Sequence, residues 1–478
     1  MRHASSFGLA WALAFALLTA AHAPLLTLPY FWDELGQFIP ASLDILQTGD
    51  WIPRMTTPNV HPPAVMAYLA LVWRIIGYSI PAARLAMLAI AAIGVVATFA
   101  LAKRLGASGW WSAGLLCVTP LFFTQAMMAQ LDMPAMALTA VALVLFLDRR
   151  IAWCAAVCTL LVLAKETSVV APVVFGGWLL WTGNRREAAW FLVPCIALGV
   201  WLAVLHSATG NFLGDTQFAQ YNIGYALHPV RLTFAILRRL FYVFVADFRW
   251  IGTLSLMLTA RTIRNLKAWL AARPDWSVCL IFAVLQALAV TVLGGAALER
   301  YLLPVFPILC VAFASTSVSW RNRTALACGL VISLWWPPPY PFPFENNLAV
   351  VDFVRLQQDA ASYLESNAPQ TKVASAWPFT DAVRRPEFGY VNRPHQVLAS
   401  KDFGAKEFNT GDAGAVVVYT RVWQGPLLPL LKPWMRRFYE YDDPVTESDL
   451  TRLGFRVAKR FARGGQSAEV YLNAPRGL

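Results

Sequence analysis

Long apolar runs recur along the first 340 residues of the chain. Many of them are long enough for an α-helix to cross a hydrocarbon core, which takes about 17 to 25 residues. The pattern therefore predicts a polytopic membrane protein with about eleven transmembrane helices. The predicted spans are 7–28, 84–102, 110–128, 131–147, 151–164, 168–182, 188–206, 242–260, 277–294, 301–319 and 324–336.

The pattern changes after residue 336, where five prolines occur within seven residues, 337–343. Proline cannot continue a helix, so this segment is predicted to be a stiff, extended spacer. Residues 345–478 have the composition of a soluble domain, with one helix-like stretch at 348–366 and alternating strand-like runs at 372–377, 415–419 and 468–472. We therefore predict two domains, an all-α transmembrane domain at 1–340 and a small α/β domain at 345–478.

The composition supports this division and excludes other classes of protein. Hydrophobic residues make up 58% of the chain and charged residues only 14%, whereas soluble domains carry about 25% charged residues. The net charge is +12, but the basic residues occur in short clusters between apolar runs, which disfavours nucleic acid as a partner. All seven cysteines lie in apolar runs without the spacing of a metal site, and we interpret them as small core residues.

The basic clusters also predict the orientation, because short cytoplasmic loops are enriched in Lys and Arg. When successive spans cross the membrane in alternate directions, the connections with basic clusters all fall on one side. These clusters are Lys103-Arg104, Arg149-Arg150, Arg185-Arg186, Arg261 to Arg273, and Arg321 with Arg323. We therefore expect a multi-pass protein of a bacterial-type inner membrane, with a cytoplasmic N-terminus and a periplasmic C-terminal domain. The sequence Ala21-His22-Ala23 resembles a signal-peptidase site, but the apolar run continues to Leu28, so we expect the first helix to be retained.

Two adjacent carboxylates, Asp33 and Glu34, follow the first predicted helix in an aromatic setting, 29–32. A carboxylate at a membrane surface can act as a general base on an acceptor hydroxyl. Alternatively, the two residues cap the next helix, since acidic side chains interact favourably with a helix N-terminus. The sequence does not distinguish these interpretations.

Two further sites on the predicted outer side are His61, which precedes Pro62-Pro63, and Asp132, which precedes Met133-Pro134. His61 is interpreted as a metal ligand or a phosphate contact, or as a structural residue beside proline. Asp132 is interpreted as the N-cap of a spanning helix, a role that is compatible with facing a cavity.

Lys165 and Arg300 are the candidate phosphate ligands. Lys165 divides an apolar stretch into two short halves, and either presents its ammonium group to a lipid phosphate or extends to the membrane interface. Arg300 suits phosphate or carboxylate recognition, or forms an ion pair with the adjacent Glu299. All these charged sites fall on the same predicted side of the membrane, which favours a shared function.

The order of these motifs resembles the GT-C fold glycosyltransferases, in the branch that contains the protein O-mannosyltransferases and the lipid A aminoarabinose transferases. The resemblance covers about residues 7–320. It consists of Asp33-Glu34 after the first helix, His61-Pro62-Pro63, Asp132-Met133-Pro134, Leu163-Ala164-Lys165-Glu166 and Arg300-Tyr301-Leu302 followed by Pro304.

The resemblance implies inverting transfer of a sugar from a polyprenyl-phosphate donor to an envelope acceptor in the periplasm: lipid A, lipopolysaccharide or another polysaccharide, or protein. It implies that Asp33 is the catalytic carboxylate with Glu34 beside it, and that Asp132 orients or activates the acceptor. Lys165 and Arg300 then bind the donor phosphate and stabilise the leaving group. The aminoarabinose enzymes have Glu-Lys-Pro-Pro where this chain has Val60-His61-Pro62-Pro63, so His61 replaces a phosphate-binding lysine, and the requirement for a divalent metal stays open.

A secondary transporter or a flippase is the alternative, since it would also have about eleven helices and charged residues among them. Such proteins usually show inverted repeats and place their ionisable residues near the bilayer midplane. The sequence shows no repeat, and the carboxylates lie at the predicted outer surface. The expected partners are therefore the lipid-linked donor, the envelope acceptor and membrane lipid.

Overall fold

The computed structural model describes residues 2–294, 298–316 and 319–473. Its contacts divide the chain into two compact units. The first unit comprises Met1–Pro24 and Ala41–Leu334, and the second comprises Leu25–Pro40 and Trp335–Leu478. The short segment Leu25–Pro40, which carries Asp33 and Glu34, is thus grouped with the C-terminal residues, an arrangement that the composition of the sequence does not reveal.

The first unit is built from helices. Their bounds are α1 Arg2–His22, α2 Ile39–Gln47, which begins in the second unit, α3 Ala64–Ile76, α4 Ile80–Arg104, α5 Gly109–Val118, α6 Pro120–Gln125, α7 Asp132–Leu147, α8 Ile151–Ala164, α9 Val170–Trp181, α10 Arg185–Ala188, α11 Leu192–Thr209, α12 Thr216–Ala219, α13 Pro229–Phe244, α14 Trp250–Ala260, α15 Leu266–Ala271, α16 Pro274–Val292, α17 Phe306–Ser315 and α18 Trp320–Ser333.

Four helical segments among the described residues are long and apolar enough to cross a membrane: Phe7–Leu25, Ile80–Arg104, Arg185–Thr209 and Pro274–Val292. Several shorter apolar helices accompany them, among them α7 and α8. Large apolar side chains such as Leu9 and Ile196 remain exposed on this unit. Exposed apolar surface of this extent is expected where lipid is the solvent.

Three of the predicted continuous spans are broken, and each break has a local cause. The span predicted at 242–260 is interrupted between α13 and α14, where Asp247 and Phe248 have left-handed backbones with φ of 53° and 60°. The span predicted at 110–128 is interrupted before Pro120, because the residue that precedes a proline disfavours the helical conformation.

The third break divides the span predicted at 301–319. A 3₁₀ segment, Glu299–Val305, contains Pro304 and precedes α17. Proline lacks the backbone N–H that a helix interior requires, so an α-helix does not run through this segment. Residues 317 and 318, at the end of the same predicted span, lie outside the described residues.

The core of the first unit lies where α4, α7, α8, α9, α16 and α17 meet. Aromatic rings contribute much of its volume: the centroids of Phe146 and Phe175 are 4.5 Å apart in a stacked pair, and Phe191 packs against both. Such pairs stabilise a core by about 0.5–1.5 kcal/mol beyond the area that they bury. This packing joins the end of α7 to α9 and to the turn before α11.

The second unit has the predicted α/β fold. Its elements are α19 Ala349–Asn367, β1 Val373–Ala376, α20 Phe379–Arg384, β2 Val397–Ser400, β3 Ala415–Tyr419, α21 Leu428–Phe438, α22 Glu447–Arg452, β4 Phe455–Arg463 and β5 Gln466–Asn473. The sheet order is β2-β1-β3-β5-β4. Strand β1 is parallel to β2 and β3, whereas β5 is antiparallel to β3 and β4. The strands β2 and β4 were not predicted, and the nine residues of β4 include four basic ones.

Candidate functional site

Lys165 lies at a break between two apolar helices, as the sequence predicts. Helix α8 ends at Ala164, a 3₁₀ turn spans Glu166–Val169, and α9 begins at Val170. Lys165 itself has an extended backbone, with φ of −155° and ψ of 122°. The break therefore turns the lysine side chain away from the helix axis, and the side chain is only 7% exposed.

Asp132 is the first residue of α7, and its carboxylate holds two cations. Its side chain makes an ion pair with the Lys165 ammonium group, and the Arg300 Nε atom lies 3.2 Å from the other carboxylate oxygen. The helix has no side-chain N-cap, so the carboxylate does not serve as a conventional cap. Asp132 is 4% exposed, and it is therefore a buried anion neutralised by two side chains from distant parts of the chain.

Arg300 is positioned by the 3₁₀ segment Glu299–Val305. Its guanidinium group donates a 2.6 Å hydrogen bond to the side-chain oxygen of Gln130. The ring of Tyr301 lies beneath the ammonium group of Lys165, 4.2 Å from ring centroid to nitrogen. Cation–π contacts of this kind stabilise a desolvated cation, so Tyr301 contributes to the burial of Lys165.

A second carboxylate, Glu299, lies beside this group and also faces two arginines. Arg238 donates a 2.6 Å hydrogen bond to Glu299, and Arg239 interacts electrostatically with the same carboxylate. Arg239 is buried and donates to the backbone carbonyl of Val290 at 3.0 Å. Both arginines come from α13, which thus brings cations from a separate helix to the segment that holds Arg300.

His61 pairs with Glu166, the residue that follows Lys165. The Nδ1 atom of His61 lies 2.9 Å from the carboxylate, and both side chains are 16% exposed. The indole of Trp201 donates a 2.9 Å hydrogen bond to the carbonyl of Val60 and so fixes the loop that carries His61. Within the described part of the chain, no group of three or more His, Cys, Asp and Glu side chains is arranged to hold a metal ion.

We call the residues that meet here the charged cluster: Asp132, Lys165, Glu166, Arg238, Arg239, Glu299 and Arg300, with His61 on Glu166. Among these residues four cations face three carboxylates. The amide nitrogen of Gln130 is buried and has no hydrogen-bond partner among the described residues. Buried guanidinium and ammonium groups beside an N–H donor without a partner among the described residues form a set of donors that suits an anion. Guanidinium and ammonium groups recognise phosphate in particular.

Asp33 and Glu34 belong to the second unit and are described with it. The carboxylate of Glu34 is buried and accepts a 2.8 Å hydrogen bond from the backbone N–H of Phe31. Asp33 is partly exposed and makes no helix-capping hydrogen bond. Glu34 therefore fastens the loop that precedes a short π-helical turn, Glu34–Phe38, and Asp33 occupies the N-cap position of this turn without a side-chain hydrogen bond to it.

Aromatic contacts within the second unit hold this loop in place. Trp32 has a left-handed backbone, with φ of 48°, and its ring lies edge-on to that of Trp377, with centroids 4.9 Å apart. The hydroxyl of Tyr390 donates a 2.7 Å hydrogen bond to the carbonyl of Tyr30. Left-handed backbones at non-glycine residues are strained and persist only where surrounding contacts hold them. Asp33 is thus displayed by a rigid loop.

The structure brings Asp132, Lys165 and Arg300 together, and it pairs His61 with Glu166. Sequence reasoning did not identify Gln130, Arg238, Arg239 or Glu166 as members of the cluster. One signal could have revealed the two arginines, since they interrupt an otherwise apolar stretch in α13. The polarity of Gln130, two residues before Asp132, is a weaker signal because polar residues at a helix start are common.

No protein-family model matches the sequence, and no curated protein sequence matches it. The structure is similar to two crystal structures of ArnT from Cupriavidus metallidurans. For ArnT bound to undecaprenyl phosphate the TM-score is 0.52 at 13% sequence identity, and for the apo state it is 0.53 at 14%. Each match covers 98% of both chains. Because the likeness extends over nearly the full length of both proteins, the chain has the GT-C fold of the lipid A aminoarabinose transferases.

Proposed function

We propose that this protein is a membrane glycosyltransferase that moves a hexosyl or pentosyl group from a polyprenyl-phosphate donor to an envelope acceptor at the periplasmic face of the inner membrane. The acceptor class comprises lipid A, other polysaccharide and protein. The observation that carries the proposal is the pair of buried cations, Lys165 and Arg300, which are both held on the carboxylate of Asp132. The fold supports it, since one similar structure is an ArnT bound to undecaprenyl phosphate.

Lys165 and Arg300 are proposed to bind the donor phosphate. An oxygen of the acceptor forms a bond to the anomeric carbon while the bond from that carbon to the phosphate oxygen breaks. The electron pair of the broken bond goes to the phosphate, which gains negative charge as it leaves. Two cations and the unused amide N–H of Gln130 stabilise that charge, and preorganised donors of this kind contribute about 3–4 kcal/mol each to catalysis.

Asp33 is proposed as the general base that removes the proton of the acceptor hydroxyl. A single displacement at the anomeric carbon inverts its configuration, so no covalent sugar–enzyme intermediate is required. Glu34 is buried and accepts a hydrogen bond from the backbone, which suits a role in holding the loop beside Asp33. His61 is paired with Glu166 and is proposed to orient the segment that carries Lys165.

Asp132 is proposed as a positioning residue. Its carboxylate lies between two cations, one on each oxygen. Its contribution is to hold Lys165 and Arg300 close to each other, against their mutual repulsion, before the donor binds. Replacement of Asp132 should therefore weaken donor binding as well as slow transfer.

The test is transfer by membranes that contain Lys165→Met or Arg300→Met. A panel of polyprenyl-phosphate sugars is supplied as donors and an envelope extract as the acceptor. We expect each variant to insert normally and to lose at least a hundredfold in transfer rate with the donor that the wild type uses. Arg452→Met is the matched control, because that arginine is 77% exposed and lies on α22 of the second unit.

Normal transfer by both variants would show that the charged cluster takes no part in the reaction. A wild-type protein that transfers no sugar from any donor in the panel contradicts the enzyme proposal. In that case the transport of a lipid-linked substrate is the function to test, by following movement of the donor across vesicles.

A further inference from the structure

A cavity of about 290 Å³ lies within the second unit. Its walls come from α21, from the end of β3 and from the loops at 402–404 and 439–444. Pockets that bind small molecules have volumes of about 300–1,000 Å³ and are mostly apolar with a few polar groups. The cavity is at the lower end of this range, which suits a ligand of one or two small rings.

Aromatic side chains form much of the wall. Among the lining residues are Phe403, Tyr419, Trp423, Tyr439 and Tyr441. The faces of aromatic rings pack against apolar C–H groups, and a tyrosine hydroxyl can form a hydrogen bond at the same time. A pyranose ring has C–H bonds on its faces and hydroxyl groups around its edge, so a wall of this kind complements a sugar.

Carboxylates outnumber cations in the lining of the cavity. The charged side chains that line it are Asp402, Arg421, Glu440 and Asp442. The basic residues Lys432 and Arg436 of α21 are both paired with Asp443. An ionised carboxylate only accepts hydrogen bonds, so a ligand has to bring donors, as hydroxyl and amino groups do. Three carboxylates with one guanidinium group also disfavour a ligand that is itself an anion.

Two of these charged groups have hydrogen-bonding capacity left. Asp402 accepts a 2.8 Å hydrogen bond from the N–H of Gly404 through its Oδ1 atom, and its Oδ2 atom has no partner among the described residues. The Nε atom of Arg421 is buried and lacks a partner in the described part of the chain. A buried donor without a partner is costly, so a ligand oxygen that accepts from Arg421 is favoured.

Backbone hydrogen bonds hold the walls in place. The N–H of Val445 donates to the carbonyl of Phe403 at 2.7 Å, and the N–H of Trp423 donates to the carbonyl of Phe342 at 3.2 Å. The indole of Trp423 also donates to the carbonyl of Pro338 at 2.9 Å. Because these contacts do not require a ligand, the cavity is preformed, and a ligand loses little free energy in ordering its walls.

The cavity adjoins the loop that displays Asp33, which belongs to the same unit. The guanidinium carbon of Arg421 lies 5.3 Å from the centroid of the Trp32 ring, and Trp32 directly precedes Asp33. A second connection runs through Phe353, whose ring centroid is 5.7 Å from that of Tyr419 and 6.3 Å from that of Trp32. A ligand in the cavity is therefore held beside the side chains that support the loop of the proposed base.

We propose that this cavity binds one sugar residue of a glycan acceptor, a pyranose without acidic substituents, and so presents the neighbouring part of the glycan to Asp33. The role in acceptor binding rests on the proposed function, whereas sugar binding itself does not. A held acceptor has a higher effective concentration of its hydroxyl at the base. A peptide fits this wall less well, because β3 is already paired on both sides, by β1 and β5, and cannot take up a further strand.

Equilibrium binding to the full-length protein in nanodiscs tests the proposal without any donor. The probes are fluorescently labelled tetrasaccharides of glucose, mannose, galactose and glucosamine, and fluorescence polarisation reports their binding. A labelled tetrasaccharide of glucuronic acid and a labelled peptide of glycine and serine are the comparison ligands. They test the disfavoured anionic glycan and the disfavoured protein acceptor.

We expect at least one of the four sugars to bind, and its affinity to fall at least tenfold in Tyr441→Ala, which removes part of the aromatic wall. Tyr441→Phe keeps the ring, and the hydroxyl that it removes makes no hydrogen bond with the described residues, so this variant should lose no more than threefold.

Asp402→Asn keeps one oxygen for the N–H of Gly404 and removes the unused acceptor, so we expect it to weaken sugar binding at least fivefold. Asp412→Asn is the matched control, because that carboxylate is 75% exposed, pairs with Lys372 and does not line the cavity. Thermal melts show whether each variant is folded, and Asp402→Asn decides the test if the alanine variant is not.

Failure of all four sugars to bind overturns the proposal. Binding that Asp402→Asn and Tyr441→Ala leave unchanged also overturns it, since the sugar then lies elsewhere on the protein. Tighter binding of the uronic acid or of the peptide overturns it as well, because the cavity then suits an anionic glycan or a protein.

Acceptor kinetics test the role of the cavity in transfer. With the acceptor that the wild type uses, Asp402→Asn should raise the KM for that acceptor at least fivefold and leave kcat within twofold. An unchanged KM overturns the role in acceptor binding. A wild type that binds the sugar in the cavity but transfers none supports the binding site and contradicts the proposed function alone.

Discussion

A deeply buried set of ion pairs in the first unit contrasts with an exposed set in the second unit. In the first unit, Asp132 and Lys165 are almost completely buried, and each has a charged partner from a distant part of the chain. In the second unit, ion pairs such as Arg460 with Glu447 are more than half exposed. Exposed pairs contribute about 0–1 kcal/mol and are replaceable, whereas buried charges cost free energy unless all of them are matched. The comparison indicates that the loss of a buried pair in the first unit costs more free energy than the loss of an exposed pair in the second.

The largest loss of stability is expected for Asp132→Ala. It leaves Lys165 and Arg300 buried without their carboxylate, and breaking a buried pair typically costs about 3–5 kcal/mol. We expect a large fall in the melting temperature of the detergent-solubilised protein, measured by differential scanning calorimetry. Asp412→Ala, which removes the exposed pair with Lys372, is the control and should leave the melting temperature unchanged.

A fall of similar size in both variants would contradict the distinction between the two sets of charges. No fall in either would mean that Asp132 is solvated in the folded protein, in conflict with its burial.

An intermediate effect is expected for Tyr419→Phe in the core of the second unit. The Tyr419 hydroxyl donates to the carbonyl of Ala376 at 3.1 Å and accepts from the N–H of Phe379 at 3.4 Å. Burial raises the pKa of Tyr419, so the hydroxyl is neutral and both hydrogen bonds persist across the stable pH range. Loss of these bonds should cost about 1–3 kcal/mol, measured as unfolding free energy by denaturant titration. A neutral outcome would show that the stability of this domain rests on apolar packing alone.

The smallest effect is expected for Asp381→Asn, and its sign depends on pH. Burial raises the pKa of Asp381 above its ordinary value, while Arg384 and the indole of Trp377 oppose the shift. The folded state therefore binds the proton of Asp381 more tightly than the unfolded state does. The stability that Asp381 contributes is fully present below its unfolded pKa. It is lost as the pH rises through its folded pKa. Asparagine can still accept the 3.0 Å hydrogen bond from Trp377.

We thus expect Asp381→Asn to raise the melting temperature slightly at pH 7 and to have less effect near pH 4. Melting curves of both proteins across this range measure the difference. A variant that is less stable than the wild type at pH 7 but equal to it near pH 4 would show that the ionised carboxylate stabilises the domain.

The apolar pattern predicted the bounds of several helices, because charged residues mark the ends of the apolar runs. Helices α7 and α8 follow the predicted spans 131–147 and 151–164 closely, since Asp132 and the pair Arg149-Arg150 mark their ends. The breaks near Asp247 and Pro304 were missed because hydropathy averages over a window and is insensitive to one or two residues. Strand β4, which pairs with β5, was missed because four basic residues interrupt its apolar positions.

The site was predicted only in part. The identities of Lys165 and Arg300 followed from charges that interrupt apolar runs, but their partners did not. Arg300 and Gln130 are 170 positions apart, and His61 and Glu166 are 105 positions apart, so one sequence carries no signal for either pairing. The grouping of Asp33 with the C-terminal residues is equally non-local, because it depends on contacts such as Trp32 with Trp377.

The central claim is that the cations on Asp132 bind the phosphate of a polyprenyl lipid, and equilibrium binding of labelled undecaprenyl phosphate tests it most directly. The wild type and Lys165→Met are compared in detergent, with Arg452→Met as the control. Loss of one charged hydrogen bond of about 1.5–3 kcal/mol should weaken binding by roughly ten- to a hundredfold in Lys165→Met alone. Equal affinity in all three proteins would contradict the claim and leave the charged cluster with a structural role.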